Sequence, residues 1–136
     1  MSFWAYSPLA GGFLVKSAQA IEEGNKGRWD RNSTVGQQYH GMYSKPTLIA
    51  ALEQWEAVAE SIRITRASLA YRWVRYHSAL QADSDDCIIL GASSPAQLNE
   101  TLEGLAEGPL PAKVLPDIAA IWQFVKDEAP VDNYHG

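Results

Sequence analysis

Four consecutive apolar residues, Cys87-Ile88-Ile89-Leu90, run without a break into Gly91 and the small residues Ala92, Ser93 and Ser94. An unbroken apolar run has no polar face to offer water, so it predicts a strand buried on both faces, as in a parallel sheet covered by helices. Directly behind it, Ser94 is placed to cap a helix, with Pro95 at the first helical position and Gln97 three residues after the cap. Leu98, Thr101, Leu102 and Leu105 then follow at helical spacing. Strand, glycine turn and helix start together give the chain an α/β reading.

A parallel strand needs a neighbour, and the candidate is Phe3 to Ser7, aromatic-rich and ended by Pro8 and the Gly11-Gly12 pair. As consecutive strands joined by a helical crossover, the two are predicted to lie side by side and parallel, with both glycine loops at one end. Helices are predicted between and after them. Pro46 opens one carried by Leu48, Leu52, Trp55, Ala59 and Ile62, and Thr65 caps a second in which Leu69, Ala70, Trp73 and His77 share a face. Arg66, Arg72 and Arg75 on that helix read as a solvated face, and the loop Asp83-Ser84-Asp85-Asp86 as a solvated turn. A last helix enters at Pro111, runs through Ile118, Trp122 and Val125, and stops by Pro130, leaving a frayed tail over 131–136. Ser17 to Ser44 is polar, glycine-rich and almost without periodicity, which reads as a lid or a disordered loop.

Length and charge exclude several classes. With 136 residues, 46% hydrophobic and 20% charged, the chain suits one globular domain over 1–136. Eleven Lys and Arg against 16 Asp and Glu leave a net charge of -5, which gives no long-range pull toward nucleic acid or anionic membrane. No apolar run approaches the ~18 residues of a spanning helix. The lone Cys87 has no internal disulfide partner, which points to a reducing, cytoplasmic setting. The Ala18-Gln19-Ala20 pattern resembles a leader cleavage site, but no basic segment precedes it and Pro8, Gly11 and Gly12 break the apolar stretch.

Nucleophilic catalysis has little support, because no G-x-S-x-G elbow is present and His40, His77 and His135 have no visible Ser or Cys partner. Metal ligation has no spacing to support it, and His77 on a helix face reads as a hydrogen-bonded structural histidine. Most of the five tryptophans read as core. The chemistry that does suit the pattern is backbone binding of phosphate, since Gly91 to Gln97 brings small residues to a helix mouth and Gly11-Gly12 lets a ligand approach the main chain.

Ala5-Tyr6-Ser7-Pro8-Leu9-Ala10-Gly11-Gly12 and Ile89-Leu90-Gly91-Ala92-Ser93-Ser94-Pro95-Ala96-Gln97-Leu98-Asn99-Glu100 resemble the C-terminal part of an aldo-keto reductase. The likeness is strongest to the aflatoxin-aldehyde reductase and potassium-channel β-subunit branches. It implies a partial (β/α)8 TIM barrel containing the last two strands with their helices and a C-terminal helix, since a whole barrel takes about 250 residues. It also implies NADP (NADPH) as cofactor. The residues implied to contact it are Tyr6 on the nicotinamide, Ser7, Leu9, Ala10 and Gly11 along the pyrophosphate, Arg28 on a phosphate, and Gly91, Ala92, Ser93, Ser94, Gln97 and Glu100 at the adenosine-phosphate end. Gly91 and Gln97 stand where many members carry Lys and Arg on the 2′-phosphate, Thr101 where Asn is common, and Lys16 sits one position early for the family's loop Lys. The family's catalytic Asp, Tyr, Lys and His have no counterpart in this chain. The expected activity is therefore cofactor binding without turnover, and the alternative is a remnant or partner-binding module. Such a module would associate through open strand edges with a complementary half barrel or with itself.

Overall fold

The computed structural model describes residues 1–132, so His135 and the last four residues of the expected frayed tail lie outside the described residues. Two short strands, β1 (Trp4–Ala5) and β2 (Cys87–Ile88), pair in parallel, with Trp4 opposite Cys87 and Ala5 opposite Ile88. The ladder extends through Cys87 N–H to Phe3 O at 2.9 Å and Ile89 N–H to Ala5 O at 2.8 Å. Between the strands lie α1 (Ala18–Glu23), α2 (Thr34–Tyr43), α3 (Pro46–Ser61) and α4 (Arg66–His77). After β2 come α5 (Pro95–Ala106) and α6 (Leu115–Val125). Adjacent parallel strands with a helical crossover are as the sequence predicts. Burial of β2 on both faces is not: Cys87 is exposed and Ile89 is 48% exposed. A parallel strand is covered only when strands flank it and helices lie on both faces, and among the described residues β2 has β1 alone beside it.

The core belongs to the helices. In α3, Leu48 and Leu52 enter one apolar cluster with Phe13, Ile21, Trp29, Met42 and Tyr43. One to two turns further on, Trp55 and Ala59 enter a second cluster with Leu69, Ala70, Leu110 and Val114. The other helix common to both is α6, which contributes Val125 to the first and Ile118 to the second. This is the three-and-four spacing of an amphipathic stripe, buried along its full length.

Three expectations need correction. The segment over 17–44 is neither lid nor loop but two capped helices and a 3₁₀ turn (Gly27–Trp29). Ser17 Oγ accepts from Ala20 N–H at 3.2 Å, Ser33 Oγ from Gly36 N–H at 3.0 Å, and Gly24 closes α1 in the left-handed conformation. Trp29, 2% exposed, anchors the segment in the core. Arg72 is buried rather than solvated, donating Nε to Gly108 O at 2.7 Å and Nη2 to Pro109 O at 2.9 Å. Asp86 is a tie: Oδ1 accepts from Phe3 N–H at 2.7 Å and Oδ2 from Gln81 N–H at 2.8 Å. His77 is structural as expected, its Nε2 accepting from Leu110 N–H at 2.9 Å. Of the tryptophans, Trp29 and Trp55 are buried, whereas Trp4 and Trp122 are more than half exposed.

Candidate cofactor site

Past the end of β1 the chain turns sharply. Ser7, Ala10, Gly11 and Gly12 all adopt positive φ, from 51° to 93°, and two of them are not glycine. Strain of this kind persists only where surroundings hold it. Ser7 closes the turn by accepting from Gly11 N–H on its Oγ at 3.0 Å and from Ala10 N–H on its carbonyl at 2.8 Å. From beneath, Trp29 Nε1 donates to Gly11 O at 3.0 Å, and the Tyr39 ring lies so close that a Cβ at Gly11 would collide with it. His40 holds Trp29 in turn, donating Nε2 to its carbonyl at 3.0 Å while Nδ1 meets Ser44 Oγ at 2.8 Å. The segment expected to be a lid is therefore the platform under the glycine loop.

Past the end of β2, Gly91 has no atom within 4 Å of where a Cβ would stand, so a ligand can reach its backbone. Ser94 caps α5 by accepting Gln97 N–H on Oγ at 3.2 Å and Leu98 N–H on its carbonyl at 3.1 Å. Pro95 has no N–H, which leaves Ala96 as the unused donor of the first turn. Ser93 presents two donors, N–H and Oγ–H, that converge on Gln97 Oε1 at 2.7 and 3.1 Å. An oxygen acceptor thus already occupies the point where a phosphate oxygen would accept.

The two loops meet in one cleft of about 600 Å³, lined by Tyr6, Ser7, Leu9, Gly11, Arg28, Gly91, Ala92, Ser93 and Gln97 of the expected set. A second cleft of about 310 Å³ shares Leu9, Gly91 and Gln97 with it and adds Glu100. Ala10 and Ser94 line neither, because Ala10 packs against the first core cluster and Ser94 is committed to capping. Residues absent from the sequence-based set also contribute. Tyr39 and Gly12 line the larger cleft, Arg66 and Thr65 the smaller, and Tyr71 both. Burial raises the Tyr71 hydroxyl above the usual tyrosine range, partly offset by the Gly91 backbone N–H beside it. Helical periodicity had placed Leu69 and Trp73 inward but gave no sign that Tyr71, between them, reaches the Gly91 turn.

Two glycine loops at one end of two parallel strands thus bring the open Gly91 backbone and the convergent Ser93 donors to one cleft, groups of the kind that can accept an anionic ligand. The aldo/keto reductase family profile matches residues 1–123. The chain belongs to the aldo/keto reductase family. It is 38% identical over 94% of its length to the oxidoreductase sirO of Leptosphaeria maculans, and 33% identical over 98% to aflatoxin B1 aldehyde reductase member 2 of Mus musculus. An aldo-keto reductase of Pseudocercospora fijiensis is 35% identical over 93% of the chain. The chain spans about two fifths of the length of these relatives, 39%, 38% and 43% respectively. Aldo-keto reductases are oxidoreductases with a (β/α)8 barrel that generally use NAD(P)H, and a small parallel sheet among helices is consistent with part of such a barrel. Among the described residues no helix is long and apolar enough to cross a membrane, and no group of three or more His, Cys, Asp or Glu is placed to hold a metal ion.

Proposed function

We propose that this chain is the cofactor-binding part of an NADPH-dependent aldo-keto reductase, comprising the last two barrel strands with their helices. The observation that carries the reading is the convergence of the Ser7–Gly12 and Gly91–Gln97 loops on one cleft at the same end of β1 and β2. Within it Tyr6 offers a ring to the nicotinamide, Arg28 a guanidinium to the pyrophosphate, and Ser93 two donors to a phosphate oxygen that displaces Gln97 Oε1. Glu100 lies toward the adenosine end. A bound nicotinamide supplies the hydride that reduces an aldehyde or ketone; the protein's share is orientation and exclusion of water. Proton donation to the nascent alkoxide, worth about 100- to 10,000-fold, has no residue here that matches the family's Asp, Tyr, Lys and His. The chain by itself accordingly binds NADPH and does not turn over carbonyl substrates.

Titration calorimetry with NADPH tests this directly. Weak binding, near millimolar (about -4 kcal/mol), is expected, weakened by Ser93→Ala, which removes one of the two convergent donors, and held or raised by Gln97→Ala, which removes the acceptor that competes for them; binding unchanged by Ser93→Ala and weakened by Gln97→Ala would move the site elsewhere. A second reading, association through the sheet, is favoured by one observation: Phe3 and Trp4 are 64% and 62% exposed beside a strand edge that no other strand pairs among the described residues. Light scattering of wild type and Trp4→Lys separates a self-associating chain, which the substitution makes monomeric, from one that is monomeric throughout.

A further inference from the structure

The two clefts carry different charges. The larger is lined by one ionisable cation, Arg28, and the smaller by Arg66 and Glu100. At Gly91 and Gln97 this chain is uncharged, so a cation that recognises a 2′-phosphate must come from another element. Arg66, the first residue of α4, is partly buried, its side chain 22% exposed. Its Nη1 donates to Lys16 O at 3.1 Å, which fixes the guanidinium against the end of the 3₁₀ turn Ala10–Val15 that follows the first loop. Both of its protein contacts run through Nη1, and among the described residues the donors on Nη2 and Nε are not engaged. Glu56 pairs with Nη1 at 3.7 Å, but its carboxylate is 47% exposed, so the pair is weak and screened by water and engages only that one nitrogen. A guanidinium held on one side with its fork free on the other is the arrangement that binds phosphate bidentately. Glu100 in the same cleft complements it, since a carboxylate accepts from the exocyclic amine of adenine and makes no ion pair with Arg66 within 4.0 Å.

We propose that Arg66 holds the 2′-phosphate of NADPH in the smaller cleft and sets the preference for NADPH over NADH. This rests on the cofactor site proposed above. Calorimetric titration of the full chain with NADPH and NADH tests it. Wild type should bind NADPH about tenfold more tightly than NADH, as a charge-assisted hydrogen bond to phosphate allows. Arg66→Leu and Arg66→Gln should bring NADPH down to the NADH level and leave NADH within about twofold, the scale of a surface charge change. Two measurements keep Arg66 in place: Glu56→Gln should hold or raise NADPH affinity, and 2′-AMP should displace NADPH more effectively than 5′-AMP. Equal wild-type affinity for the two cofactors, a preference surviving both Arg66 substitutions, or weaker NADPH binding by Glu56→Gln would overturn the assignment while leaving the cofactor site standing. Failure of wild type to bind either cofactor would overturn both.

Discussion

At the scale of single residues, the polar groups that matter most in this chain are those whose partners are far away in sequence. Asp86 accepts two backbone N–H bonds, from Gln81 and from Phe3, and these hold its carboxyl below the usual carboxylate range. A depressed folded pKa means stability that is present above the unfolded value, ~3.9, and lost as pH falls through the lower folded value. Asp86→Asn should therefore lower the melting temperature at neutral pH, and the difference from wild type should shrink as pH falls below about 4. Tyr43 and Tyr71 give the opposite limb. Burial raises both hydroxyls, with Tyr39 and Tyr6 adding to the effect at Tyr43, so each contributes stability below ~10 that is lost as pH rises through the folded value. Tyr43→Phe and Tyr71→Phe should flatten the alkaline unfolding limb in a pH–melting profile. Arg72 is the largest single expected cost. Arg72→Met leaves the Gly108 and Pro109 carbonyls without their donor and should cost about 2–4 kcal/mol by urea unfolding. Arg72→Lys should recover little, because a point charge cannot reach two carbonyls as a fork does. None of these roles was legible in the sequence, where a helix-surface Arg and an acidic turn both read as solvated. The partners of Arg72 lie 36 and 37 residues on, and one partner of Asp86 lies 83 residues back, beyond the reach of any local pattern.

At the scale of elements, caps were legible and periodicity was misleading where it was weak. Thr65 and Ser94 cap α4 and α5 as their spacing predicts, accepting from Ser68 and Gln97. The same signals stand at Ser17 and Ser33, yet α1 is only six residues long and α2 carries Gly36 and Gly41, so their apolar faces are too brief to register as a stripe. What makes α2 a helix is tertiary. Its Gly36 sits where a Cβ would collide with the Asp30 carbonyl, and its Tyr39, His40 and Tyr43 pack around Trp29. The adjacent serines Ser93 and Ser94 separate element stability from site chemistry. Ser94→Ala removes the α5 cap and should cost about 1 kcal/mol. Ser93→Ala, whose hydroxyl meets only the exposed Gln97 side chain, should stay within about 0.5 kcal/mol of wild type while weakening NADPH binding. Chemical denaturation and cofactor titration of the two variants should therefore rank them in opposite orders, and a common order would mean that cap and cradle are one unit.

At the scale of the whole molecule, the apolar core and the candidate site reside in different layers. Both apolar clusters are bridged by α3 and α6, whereas the sheet that places the two loops has two strands of two residues each, with Trp4 and Ile89 outward. The sequence made the parallel pairing and the shared end of the loops legible, because strand–glycine–helix punctuation is local. It left the exposure of β2 hidden, because burial of a strand is a property of its neighbours. A two-stranded pair is marginal in water, so its hydrogen bonds should open without global unfolding. Hydrogen exchange should show this as a wide gap: amides of α3 near Leu52 and Trp55 exchanging only with global unfolding, and the Cys87 and Ile89 amides exchanging far faster although they are bonded to the Phe3 and Ala5 carbonyls. A cofactor that spans both loops stabilises only the paired state and so protects those strand amides in proportion to its concentration over its dissociation constant. NADPH at saturating concentration should slow Cys87 and Ile89 exchange and leave the α3 amides nearly unchanged. Uniform slowing across strands and helices would place the ligand on the helical core, and no slowing in the strands would mean that it contacts one loop without bridging to the other.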